Sequence, residues 1–170
     1  MDLSASLATK LPTRAYDPDG EVNLAGFAGS MLSYSAMVGL VAAVARARPG
    51  TVPERYDLQD LALGGIAAHK LTRLISKSSV ASPLRAPFVE FDEPAGSGEH
   101  VEHPRDDAGP VRHTIGELLT CPFCLGVWVS TAYVAGLTFA PRATRAAAAV
   151  MVVVSASDFL QHAYARLRQD

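Results

Sequence analysis

At 170 residues the chain has the length of one domain, and a net charge of −2 with a pI near 6.2 leaves it without the basic face of a nucleic-acid binder. Its 49% hydrophobic residues, 19% charged residues and mean hydropathy of +0.16 are oily for a soluble domain; they fit several membrane spans and one sizeable polar loop. Two cysteines exclude a disulfide framework, and one Trp with 5 Tyr and 6 Phe gives no stacking platform for bases.

Residues 1–22 read as a polar tail with Pro12 and the turn-like Asp17-Pro18-Asp19-Gly20. They lack the basic start and short apolar core of a cleaved signal peptide, so the first apolar helix is expected to stay as an anchor. That helix is predicted over 24–45, a stretch without charge and long enough to cross a hydrocarbon core of about 30 Å. Small residues recur through it at four-residue spacing, Gly26 with Ser30 and Ser35 with Gly39, as on a helix-packing face in lipid. A connector with Pro49, Gly50 and Pro53 leads to a second helix from residue 57 or 58 to about 75. His69, Lys70 and Arg73 interrupt its apolar face, so it either spans with a snorkelling basic end or lies in the interface.

Residues 76–113 hold so many Pro, Gly, Ser and acidic residues that they read as one long, solvated, flexible loop without continuous helix or strand. Leu84 and Phe88 are its candidate pins to the bundle. A short amphipathic lead-in over 113–120 precedes a third helix from Pro122 to Ala140, with proline in the first turn where its missing N–H is harmless. Pro141, Arg142 and Arg145 read as a connector, and a last helix as running from about Ala146 to Leu167. The fold class expected is all-α: a polytopic membrane bundle of three to four transmembrane helices with one long polar cytoplasmic loop. It divides into a tail plus helix over 1–56, a core over 57–163 and a basic tail over 164–170. Lys and Arg flank the side carrying the loop and the carboxyl tail, which places both in the cytoplasm of a multi-pass cell-membrane protein. The bilayer is the expected partner, with a second membrane protein or another copy of the chain possible in addition.

Two groups of residues have chemistry to offer. Cys121-Pro122-Phe123-Cys124 opens the third helix. Such a pair can be a redox dithiol, half of a zinc site or two small side chains in a tight helix crossing. No cofactor is required by the sequence; zinc would need further ligands from His69, His100, His103 or His113. A βαβ framework of the thioredoxin kind is missing, and in the cytoplasm the two thiols are expected to be reduced unless metal-bound. The second group is a polar cluster. Asp158 sits in the body of an apolar helix, where a carboxylate is costly unless paired or hydrated, with Gln161 and His162 one turn on. Lys70 and Arg73 are its predicted partners with Glu117 nearby, and Arg85 and His69 complete the cluster.

The strings His69-Lys70-Leu71-Thr72-Arg73, Ser82-Pro83-Leu84-Arg85-Ala86-Pro87-Phe88, Glu117 to Trp128 and Ser157-Asp158-Phe159-Leu160-Gln161 together resemble the bacterial domain-of-unknown-function family 1360, whose members include small sporulation-associated proteins. The resemblance covers roughly residues 57–163 and implies an integral membrane protein with no established activity; it brings no catalytic residues. Three functions are compatible with this reading. The first is a non-enzymatic assembly or regulatory component. The others are a thiol-redox or metal protein using Cys121 and Cys124, and a small transporter or proton-coupled component around Asp158.

Overall fold

A computed structural model describes residues 16–48, 50, 52–107 and 109–168. Most of the polar amino-terminal tail and the last two residues therefore lie outside the described part. Helix α1 spans Leu24–Arg46. Asn23 caps it, its side-chain oxygen accepting from the Gly26 N–H at 3.0 Å. Helix α2 spans Leu58–Ser76. After a 3₁₀ turn at Ser79–Ala81 and the one-turn helix α3 (Ser82–Arg85) come strands β1 (Val89–Gly96) and β2 (Glu99–Pro104). Helices α4 (Pro110–Thr120), α5 (Pro122–Phe139) and α6 (Pro141–Leu167) complete the chain.

The helices fall where the hydropathy placed them. Three of them, α1, α5 and α6, are long and apolar enough to cross a membrane. α6 begins earlier than expected: Pro141 occupies the first turn of the helix instead of a connector, and Ala140 alone separates it from α5. That junction is tight, since a Cβ on Gly136 would lie 2.6 Å from the Thr144 hydroxyl.

The expectation for residues 76–113 is corrected. The described residues of this segment form a polar cap that includes an antiparallel hairpin, so the fold is mostly helical with a small two-stranded sheet. The breakers that argued against a strand are its construction points. Pro94 sits beside a bulge between Pro94 and Gly96, where a missing donor costs the ladder little. Ser97 and Gly98, with φ of 51° and 73°, form the two-residue turn, whose backbone twist matches that of the flanking strands. The hairpin tip also bonds back to the chain leaving α2: Ser79 N–H donates to Gly98 O and His100 N–H to Lys77 O, both at 2.8 Å. At its base α4 comes so close that a Cβ on Gly116 would lie 2.6 Å from the Phe88 carbonyl oxygen. Leu84 does not pin the cap, being 77% exposed.

α2 is the helix on which the others assemble, packing along both α5 and α6. Tyr133 lies over Gly64, where a Cβ would come within 2.1 Å of the ring, and its hydroxyl donates to the Asp60 carbonyl at 2.8 Å. Arg145 of α6 pairs with the Asp60 carboxylate at 2.7 Å. α2 and α6 run in the same direction, so Asp60 meets Arg145 at one end and Lys70 meets Asp158 towards the other. α1 is held more lightly, by Tyr34 against Thr131 (2.8 Å) and edge-on to Trp128, and it has no buried residue.

Candidate functional site

Within the cap, one buried ion pair ties the hairpin to the segment that leaves α2. Arg85, in the one-turn helix after α2, has a side chain 1% exposed, and that of Glu102 on β2 is 4% exposed. The guanidinium binds the carboxylate through two nitrogens, Nη2 to Oε1 at 2.8 Å and Nε to Oε2. Its Nη1 donates to the carbonyl of Ile75 (2.8 Å), which the end of α2 leaves without a helical partner, and to that of Ser78 (3.0 Å), which also accepts from the Ala81 N–H. The planar fork of arginine allows this double service, and lysine would not reproduce it. Arg85 was predicted within the polar cluster; its partner Glu102 was hidden among seven acids of similar surroundings.

Beside this attachment a cleft of about 680 Å³ opens between the carboxyl half of α2, the hairpin tip and the last turns of α6. It gathers six residues of the predicted cluster: His69, Lys70 and Arg73 from α2, and Asp158, Gln161 and His162 from α6. Lys70 Nζ donates to Asp158 Oδ2, so the carboxylate in the apolar helix has the partner that its position demanded. Arg73 does not share it; it turns to Glu99 at the hairpin tip in a two-nitrogen contact. Two cations and two carboxylates therefore face one cleft as crossed pairs between α2 and its neighbours. Ser155, one turn before Asp158, also lines the cleft. It is 7% exposed, and its hydroxyl is the buried side-chain polar atom with no hydrogen-bond partner among the described residues. Leaving such a group unsatisfied costs roughly 1–3 kcal/mol.

Glu117 belongs elsewhere. It accepts from the Asn23 amide at 2.6 Å, next to Thr114, and so ties α4 to the start of α1. Cys121 and Cys124 also stand apart from the cleft, at the α4–α5 junction. Cys121 is the N-cap of α5 and Cys124 lies one turn in, with Cα atoms 5.3 Å apart, and the two are joined as a disulfide. N-cap and N3 positions turn the two side chains towards each other. The Cys124 N–H donates to the Cys121 sulfur at 3.1 Å. The histidines proposed as further zinc ligands are engaged away from the pair, His100 with Ser82, His103 with Asp92 and His113 with the Arg105 carbonyl. Among the described residues no group of three or more His, Cys, Asp or Glu side chains converges on a point where a metal could sit.

Glu99, Glu102 and Ser155 are what sequence reasoning missed. The two acids have the composition of a solvated loop, and a serine in an apolar helix normally bonds back to its own backbone; neither carries a local signal.

Fold and site together give a mostly helical protein with three helices long and apolar enough to cross a membrane and a polar cap beside a charged cleft. Residues 63–164 match the family model described as "Protein of unknown function (DUF1360)", and the chain belongs to that family. It is also similar to the sporulation protein YjcA of Bacillus subtilis (strain 168), 36% identical over 69 residues, which is 40% of this chain and 58% of that protein. The match thus spans little more than half the length of that relative. No solved structure matches the chain.

Proposed function

We propose that the chain is a multi-pass membrane protein without enzymatic activity, an assembly or regulatory component that presents a rigid polar cap on the cytoplasmic side. The observation that carries this reading is the junction around Arg85 and Arg73: Arg85 joins Glu102 of the hairpin to the Ile75 carbonyl of α2 and Arg73 of α2 pairs with Glu99, which fixes the cap on the helices as a docking platform needs. The helices themselves support membrane insertion. Met31, Leu40 and Val153 are 71%, 67% and 68% exposed, apolar surface that requires lipid or another apolar chain around it. Lys77, Arg85, Arg105, Arg112, Arg166 and Arg168 lie at the cap end, against Arg46, Arg48, Arg55, Arg142 and Arg145 at the other, which favours a cytoplasmic cap. The relation to a sporulation protein fits a role in assembling a membrane structure.

The test is labelling with a membrane-impermeant maleimide in a background where both native cysteines are serine. Ser97→Cys at the hairpin tip should be shielded in intact cells and labelled after permeabilisation, and Glu54→Cys should be labelled in both. The reverse pattern would overturn the orientation. A photo-crosslinker at Met31 should capture a second protein chain; capture of lipid alone would count against an assembly role.

A second reading, a thiol-redox protein, is favoured by the disulfide at a helix N-terminus. There the positive end of the helix stabilises a thiolate once the bond is reduced. A partner dithiol would supply the two electrons, its own sulfurs forming a disulfide while Cys121 and Cys124 become thiols. On a cytoplasmic face such a bond is transient rather than structural. Alkylation of acid-trapped protein should then find both redox forms in cells; a pair reduced under every growth condition would exclude this reading.

A further inference from the structure

Ser155 marks the cleft as a ligand site. Four other helical hydroxyls close on the carbonyl four residues back: Ser33 on Gly29 and Thr131 on Val127 at 2.9 Å, Thr138 on Val134 and Thr144 on Ala140 at 3.0 Å. Ser155, more buried than any of these, does not. Its hydroxyl has no acceptor within the described residues, at a residue that lines the cleft. The charges there are of both signs in equal number, Lys70 and Arg73 against Asp158 and Glu99. A ligand of one sign would gain from two of these groups and be repelled by the other two. A ligand that carries both signs can meet all four.

The position along α6 narrows the choice. The apolar run of the helix ends at Val154, and the cleft begins at Ser155 with Phe159 and Leu160 beside it, 75% and 71% exposed. A polar cleft bordered by exposed apolar side chains, where a membrane-length helix turns polar, lies at the depth of lipid headgroups. We infer that the cleft binds a zwitterionic phospholipid headgroup with a primary ammonium. Lys70 and Arg73 receive the phosphate, Asp158 and Glu99 receive the ammonium, and the Ser155 hydroxyl donates to a phosphate or ester oxygen. The inference rests on the membrane reading above and adds the partner to it. The cavity volume of about 680 Å³ is ample for such a headgroup.

The full chain, purified in detergent, is exchanged into equal mole fractions of phosphatidylethanolamine and phosphatidylglycerol, and the retained lipid is read by native mass spectrometry. Ethanolamine lipid should be retained over glycerol lipid by about tenfold, the ratio that 1.4 kcal/mol produces. Glu99→Gln and Asp158→Asn should each reduce that preference several-fold, because each weakens an acceptor of the ammonium. Ser155→Ala should instead lower the retention of both lipids, while the melting temperature in detergent alone stays level or rises. Equal retention of the two lipids, or an unchanged preference in both acid variants, overturns the inference. So does competition by free glycerophosphoethanolamine at matched concentration, which would make the occupant a soluble molecule. Carbonate extraction of native membranes separates the two levels. Release of the protein defeats the membrane reading itself, whereas retention without headgroup preference defeats only the lipid assignment.

Discussion

Replacing Arg85 by methionine tests the attachment of the cap. Methionine fills much of the arginine volume but withdraws the charge, which leaves the Glu102 carboxylate 4% exposed and without its partner. Breaking a buried pair from one side costs ~3–5 kcal/mol, because the remaining charge stays desolvated. The Ile75 carbonyl loses its donor at the same time, while that of Ser78 keeps the Ala81 N–H. The effect falls on the cap rather than on the helices, so hydrogen exchange of the backbone amides of β1, β2 and the Ser79–Ala81 turn is the appropriate assay. At 1.4 kcal/mol for each tenfold change, protection there should fall by roughly two to three and a half decades, with the amides of α5 little changed. The double variant Arg85→Met/Glu102→Leu removes the stranded charge and should recover about half of the lost protection. Recovery stays incomplete because the Ile75 carbonyl remains without its donor, at ~1–3 kcal/mol in the worst case. Unchanged protection in the single variant would refute the attachment, and a double variant no better than the single would refute the electrostatic account of it.

Asp158→Leu strands Lys70 and should lower the melting temperature more than Asp158→Asn, which keeps an acceptor for it; equal melting of both variants with the parent would show that the pair is idle. If Asp158 serves as a proton site, asparagine should instead abolish activity or growth-linked function while leaving the melt intact. Gly64→Ala places a methyl group where Tyr133 lies and should cost ~1–3 kcal/mol in thermal unfolding, with Tyr133→Ala restoring room but not the bond to Asp60. At the turn after β2, the hydrogen bond from Arg105 holds the Asp107 carboxyl below its usual 3.8, so the contact contributes fully above that pH and is lost as the pH falls below it. Protection factors at that turn, taken relative to the intrinsic exchange rate at each pH, should therefore fall on acidification, and Asp107→Asn should remove that fall.

The helices and the family were legible in the order of residues because both are local properties. A charge-free run of helical length is apolar wherever it is placed, which is why α1 and α5 were found almost to the residue. The strings around Lys70, Arg85, Cys121 and Asp158 identified the family without any knowledge of what they touch. Asp158 could be assigned a basic partner from α2 on energetic grounds alone, since a carboxylate in an apolar helix must find one. What the residue order could not decide was which acid pairs with which base. Glu99 and Glu102 belong to a segment whose Pro, Gly and acid content matches that of a disordered loop. Only the hairpin's return beneath α2 brings Glu102 to Arg85 and Glu99 to Arg73, removing the first pair from water. The proline and glycines that argued against a strand became its bulge and turn. Burial likewise singled out Ser155, a residue of no distinction in the sequence, because an unpartnered hydroxyl acquires a cost only when packing has excluded solvent from it.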